Sequence, residues 1–267
     1  MANLFSRLSP RMGLSLNCHP GRSRRRLIGS IALLCAALIA ACGDDDGGFA
    51  TRPSDGSPSG PKIGCKTETE DSCEYGELVD DRDGQTYRTV KIGDQVWMAE
   101  NLNFKTDSSF CFDNKESSCG KYGRLYKWAA AVGESESECG YEKSCSLPSE
   151  DIQGVCPSGW HMPSRAEWET LVTAVGDSLT AGKMLKSTSG WNSRGNSTDA
   201  FGFSALPVGD RFNDGNFSGE GYSANFWSST ENDSYYSYSM CFSHNHGKAE
   251  VRLLGKYYAM SVRCVKD

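Results

Sequence analysis

The chain has 267 residues, enough for one medium-sized domain with appendages and little for two large ones. Residues 1–26 hold six of the 28 basic side chains and no acid, so everything beyond the leader carries 22 basic against 34 acidic residues, a net of −12. No basic cluster survives there, which excludes nucleic acid as a partner, because binding phosphates needs a cationic patch.

The first element is the leader itself. Its basic start runs into LIGSIALLCAALIAAC (27–42), an apolar stretch too short to span a bilayer comfortably and closed by small residues. Ile39-Ala40-Ala41-Cys42 resembles the lipobox of bacterial lipoproteins. Residues 1–41 therefore read as a lipoprotein signal peptide, with Cys42 as the lipidated first residue of the exported chain. Ser23-Arg24-Arg25-Arg26-Leu27 also resembles a twin-arginine signal, but a cysteine-rich cargo that oxidises after export favours the general route. Residues 42–64, CGDDDGGFATRPSDGSPSGPKIG, offer almost nothing to bury and read as a flexible acidic Gly/Ser/Pro tether reaching about 25 Å. Asp44-Asp45-Asp46 behind the lipidated cysteine resembles a surface-export signal. We expect the linker to extend to residue 77 and the folded domain to cover 78–267. The expected location is the cell envelope, anchored through lipid in the outer membrane.

From residue 78 the pattern turns to strands. Asp83-Gly84 and Gly93-Asp94 are turn signals between β-branched and aromatic runs, and Val90, Ile92, Val96 and Met98 alternate as in a half-buried antiparallel meander. Leu125, Trp128, Ala129 and Val132 recur at helical spacing and predict a helix over 123–132. In CPSGWHMPSRAEWETL (156–171), Ser164 and Glu167 form an S-x-x-E capping box. Trp168, Leu171, Val172 and Val175 then give a second apolar helix face, and Gly176 closes it. A weaker helical piece covers 179–187. The chain returns to strands in FGFSALPVG, ANFWSST, YYSYSMCFS, AEVRLLG and YAMSVRCVKD. This is an α+β domain of two to three helices and antiparallel sheet.

Nine cysteines lie beyond Cys42. Three close pairs suggest local staples, Cys65–Cys73, Cys111–Cys119 and Cys139–Cys145, and we pair Cys156 with Cys264, although spacing alone does not fix connectivity. Cys241 is then left over as a buried thiol.

DGQTYRTVKIGDQVWMAENLNF, KYGRLYKWAAAV, CPSGWHMPSRAEWETL, FGFSALPVG, FWSST and SVRCVKD resemble, in order, the blocks of the Fibrobacter succinogenes major paralogous domain, from about residue 79 to the last residue. That family is similar to the sulfatase-modifying-factor and C-type lectin-like group, in which the helix opening Met162–Trp168 and the closing strand Val262–Val265 recur. The resemblance implies a C-type-lectin-like fold on an exported protein, and fold alone supplies no activity.

Four constellations could carry chemistry. His161 stands between two tryptophans, but the capping box accounts for its neighbours, so it reads as scaffold and we name no catalytic residue. Cys241, His244 and His246 could ligate zinc or copper, yet Asn245-His246-Gly247 also suits a hairpin turn. The modifying-factor enzymes use a close pair of reactive cysteines in this region, and here Cys241 stands there without a second. Asp210, Asn213, Asp214, Asn216 and Glu220 supply hard oxygen ligands for calcium, the one cofactor we entertain. The EF-hand spacing fails at Phe212, and the Glu-Pro-Asn tripeptide of calcium lectins is absent. Trp191, Trp227, Tyr235, Tyr236, Tyr238, Tyr257 and Tyr258 could stack on sugars or fill the core, and alternation places Tyr236, Tyr238, Met240 and Phe242 on one core-facing side.

The reading is a lipid-anchored protein with a non-catalytic binding module at the cell surface, its partners the membrane and a polysaccharide or other surface proteins. The alternatives are a metal-dependent oxidase of the formylglycine-generating type and a structural envelope component.

Overall fold

The computed structural model describes residues 62–148 and 151–267. The leader, Cys42 and the tether up to residue 61 lie outside the described residues. Among the described residues no helix is long and apolar enough to cross a membrane.

The meander forms as the turn signals predict. Strands β1 (Tyr75–Val79), β2 (Thr86–Ile92) and β3 (Gln95–Met98) pair antiparallel, with Ile92 opposite Gln95 across the Gly93-Asp94 turn. Gly93 has a φ of 61°, the left-handed geometry that a two-residue hairpin demands. That tight turn puts Val90 opposite Trp97 and Lys91 opposite Val96, so the four alternating residues do not share a face. Val90, Ile92 and Trp97 enter one apolar cluster, and Val96 and Met98 enter another on the opposite side. The sheet is covered on both faces rather than half-buried. The folded body also begins before residue 78: Cys65–Cys73 closes a small loop, and the Lys66 N–H donates to the Ala200 carbonyl.

After the meander come β4 (Ser109–Phe110), α1 (Glu116–Tyr122), β5 (Leu125–Lys127), α2 (Trp128–Ala131) and α3 (Glu136–Cys139). The helix expected over 123–132 is thus only one turn. Leu125–Lys127 is a strand because its backbone bonds are taken by β4 on one side and by a later strand on the other. Next follow β6 (Trp160–His161), α4 (Arg165–Val175) and α5 (Ala181–Leu185). In α4 the capping box is complete: Ser164 accepts from the Glu167 N–H, and Glu167 accepts from the Ser164 N–H. Its apolar stripe, Trp168, Leu171 and Val175, is buried against the meander, with Trp168 4.7 Å from Trp97. Each such large apolar side chain contributes roughly 1.5–3 kcal/mol by leaving water.

The rest of the chain forms β7 (Asp210–Arg211), β8 (Phe217–Ser218), β9 (Ser223–Glu231), β10 (Tyr236–Ser243), β11 (Ala249–Gly255), β12 (Ala259–Met260) and β13 (Val265–Lys266). FGFSALPVG makes isolated bridges and no strand, Lys186 to Ala205 and Gly209 to Ala224. Three sheets result, with orders β1-β2-β3-β13-β6, β11-β10-β9 and β4-β5-β12-β7-β8. The fold is α+β, with the last strand seated between β3 and β6 in the sheet that the first strand opens.

All four expected disulfides are present: Cys65–Cys73, Cys111–Cys119, Cys139–Cys145 and Cys156–Cys264. Cys241 stands outside them, buried in β10 with its sulfur 3.7 Å from Ser239 Oγ. Beside the closing strand the guanidinium of Arg263 is fully buried. It donates to Asn101 Oδ1, Phe203 O and Ser204 O, and it lies over the Phe203 ring. Burial pushes it down to about 9.

Candidate functional site

The buried amine of Lys256 organises one end of the molecule. It sits between β11 and β12 under no solvent, 4.4 Å over the Trp128 ring, and forms an ion pair with Glu231 at the end of β9. It also donates to the Lys143 carbonyl at 2.8 Å, while its own N–H donates to the Tyr235 carbonyl. Glu231 takes the Cys145 N–H at 3.1 Å on both carboxylate oxygens. One ion pair thereby ties together three loops: the Cys139–Cys145 loop, the β9–β10 turn and the β11–β12 turn. A buried lysine is tolerated because its charge is met by a carboxylate and a carbonyl.

Each of these loops brings tyrosine to the surface. Tyr141 comes from the disulfide loop, Tyr235 from the β9–β10 turn with Tyr236 opening β10, and half-buried Tyr257 from the β11–β12 turn. The Tyr141 ring lies 5.3 Å from Tyr235 and 4.9 Å from Tyr257, near-perpendicular to both. Tyr257 stacks on Tyr258 at 4.5 Å, and Tyr258 rests on Phe212 at 5.1 Å. The pair Tyr235–Tyr236 is set by Asp233, whose carboxylate accepts both their N–H groups at 2.8 and 2.9 Å. Those bonds hold the Asp233 carboxyl below its ordinary range. At Gly255 an added Cβ would stand 2.4 Å from the Tyr257 ring, so only glycine lets that ring lie against the strand. Tyr141, Tyr235 and Tyr236 are 39 %, 43 % and 43 % exposed. Exposed aromatic rings are here held by a buried frame rather than scattered singly over the surface.

A cleft of about 430 Å³ opens on the same frame, since Cys145 and Glu231 are among its walls. Hydroxyls of Ser164, Ser229 and Thr230 and carboxylates of Asp151, Glu167 and Glu231 line it over apolar Ile152 and Met162. Behind the Glu167 wall lies His161. Its Nε2 is 2.7 Å from Glu167 Oε1, and its Nδ1 is 2.7 Å from Asp267 Oδ1. The bond to Glu167 leads in pushing the imidazole up to about 9, so it is a buried cation at neutral pH, and Glu167 is held below its ordinary range. Both ring nitrogens are spoken for. His161 thus joins the lead-in of α4 to Asp267, and its partner is the capping glutamate itself, a contact beyond the role assigned from sequence.

The structure does not gather the calcium candidates. Asp210 is turned inward, where the Asn225 amide donates to it at 3.1 Å and burial raises it to about 7. Asp214 accepts the N–H and side-chain amide of Asn216, Glu220 accepts the Tyr122 hydroxyl at 2.8 Å, and Asn213 is exposed on the turn. Only Asp214 and Asn216 meet, bonded to each other, while Asp210 and Glu220 are held by other partners. Nor do Cys241, His244 and His246 converge. Cys241 lies in the strand interior, His244 packs edge-on against Tyr222 at 4.9 Å, and His246 Nδ1 accepts the Lys248 N–H. Among the described residues, three metal-ligating side chains come together at Cys111, Glu116 and Cys119, where the two sulfurs are already bonded to each other.

Of the aromatics, Trp191 and Trp227 are core, with indole N–H groups donating to Ser187 Oγ and the Tyr126 carbonyl. The β10 face expected inside is buried only at Met240 and Phe242. Tyr236 is exposed and Tyr238 half-buried beside Arg165, because the strand outruns the core at that end. Sequence reasoning missed Tyr141, Asp151, Glu231 and Lys256. The available signals were a tyrosine inside a short Cys–Cys loop and a lysine within the apolar LLGKYYAM.

No curated protein and no solved structure matches the chain. A family model does: that of the Fibrobacter succinogenes major domain matches residues 90–266, and the chain belongs to this family.

Proposed function

We propose that this chain is an exported, lipid-anchored protein whose domain is C-type-lectin-like. In this reading it is a non-catalytic binding module at the cell surface, and its ligand is a polysaccharide seated on the tyrosine cluster. The observation that carries the reading is the set of exposed rings of Tyr141, Tyr235 and Tyr236 on the Lys256–Glu231 frame. Tyrosine rings present apolar faces to the C–H surface of a sugar while their hydroxyls stay hydrated. The lectin-like assignment draws support from the two segments that carry the resemblance, which lie side by side: Val265 of β13 pairs with His161, just before the opening of α4. The non-catalytic role draws support from His161, buried, protonated and held at both nitrogens. The anchor rests on the lipobox and the acidic tether, with residues 1–41 removed, 42 to the low sixties as spacer and the remainder folded.

The test has two parts. Cys42→Ser should move the protein from the membrane fraction to the soluble fraction of the exporting cell, and unchanged membrane retention would refute the anchor. The intact chain should be retained on at least one member of a polysaccharide panel, with Tyr141→Ala and Tyr235→Ala weakening retention about tenfold. Failure across the whole panel would leave the structural envelope role in its place.

A further inference from the structure

We infer that the cleft beside the tyrosines is a second subsite for the same ligand, and that it selects an uncharged polysaccharide over an acidic one. This rests on the reading of the tyrosine cluster as a glycan platform and adds where the chain continues and what it must lack.

Cleft and platform are one construction. Cys145 is a wall of the cleft and closes the loop that presents Tyr141. Glu231 is another wall, and through Lys256 it fixes the turn that presents Tyr235. Cleft and rings thus share their supporting residues. The cleft, at about 430 Å³, falls within the range of small-ligand sites, and its lining combines an apolar floor with hydroxyl and carboxylate acceptors. Sugar hydroxyls need such acceptors, and a sugar ring needs such a floor.

Charge decides between glycan classes. Asp151, Glu167 and Glu231 line the cleft, and among the described residues no lysine or arginine does. The cations around it are paired: His161 with Glu167 and Asp267, Lys256 with Glu231 and the Lys143 carbonyl, and Arg165, which follows Ser164 of the wall, with Glu169. Glu167 and Glu231 have their counter-charges in His161 and Lys256, so a uronate or sulfate entering here would meet the exposed carboxylate of Asp151, which a neutral sugar meets only as an acceptor. Rejection of the wrong ligand by like charge is an ordinary route to specificity. Asp151 is the exposed member of the three and the one to change without touching the frame.

The experiment measures retention of the intact, detergent-solubilised chain on neutral β-glucan and mannan against alginate and polygalacturonate at one fixed ionic strength. Retention on a neutral polymer at least tenfold above that on both acidic polymers is expected. Asp151→Lys should narrow that preference severalfold in a protein that still melts in one cooperative transition. Equal retention on acidic and neutral polymers, or an Asp151→Lys variant whose preference matches the parent, overturns the subsite. Loss of the neutral-polymer signal in Tyr141→Ala together with an unaltered preference in Asp151→Lys would sink the cleft alone and leave the platform standing. No retention on any polymer would sink the platform, and the cleft with it.

Discussion

Glu167 acts on two sides at once. One carboxylate oxygen closes the capping box with Ser164, and the other binds His161, whose second nitrogen is taken by Asp267. This makes a pH dependence with a definite sign. The folded-state value for His161 is raised to about 9 from an ordinary 6.5, so its contribution is fully present below pH 6.5 and is lost as pH rises through about 9. The shift is worth about 2–3 kcal/mol once screening at half-exposed Asp267 is allowed for. Urea melts of the parent should lose that much stability between pH 6 and pH 9.5, relative to His161→Phe measured over the same range. Parallel pH profiles for the two proteins would show that the clamp stores nothing. The capping box was legible because its residues are three apart. The clamp was not, because Glu167 reaches back round the strand-to-helix turn and Asp267 arrives from the other end of the domain.

At the scale of single elements, the meander and β10 share a lesson. Alternation identified the strands, but which side meets the core depends on the turn between them and on where the core ends. The two-residue turn at Gly93-Asp94 sends Val90 and Val96 to opposite faces, and β10 passes from buried Met240 to exposed Tyr236 along one side. Periodicity carries neither fact. The Cys139–Cys145 loop shows the converse, a local feature read from spacing whose purpose needed the fold. Closing so short a loop stabilises by only about 2 kcal/mol. Its larger effect is positional, since it holds Tyr141 against Tyr235 and Tyr257. Replacing both cysteines by serine should therefore cost about 2 kcal/mol in a denaturant melt and, on the proposed glycan reading, weaken retention as much as Tyr141→Ala is expected to. A variant equally destabilised but still fully retained would separate the loop from the platform.

Across the whole molecule the decisive contact is the one longest in sequence. The closing strand β13 lies between β3 and β6, with Val265 opposite both Trp97 and His161, so one residue joins the first strands to the lead-in of α4. Cys156–Cys264 fastens the same junction across 108 residues, and Cys156 and Cys264 lie in one apolar cluster while Val265 enters the other. Family resemblance made the order of these segments legible, whereas the spacing of the last three cysteines left three pairings open, and the fold selects the one expected. How the sheet separates two cores was not legible, because that depends on which strands become neighbours. Constraint theory gives a loop of this length about 5 kcal/mol, a large share of the stability of any single domain. Replacing Cys156 and Cys264 together by serine should remove most of that in a urea melt and, because β13 is the hub, lower the transition cooperatively rather than in two steps. The parent should yield the peptide pair containing Cys156 and Cys264 on digestion without reductant. A double variant melting within 1 kcal/mol of the parent would mean that the two cores hold the closing strand unaided, and that the bridge follows the fold instead of securing it.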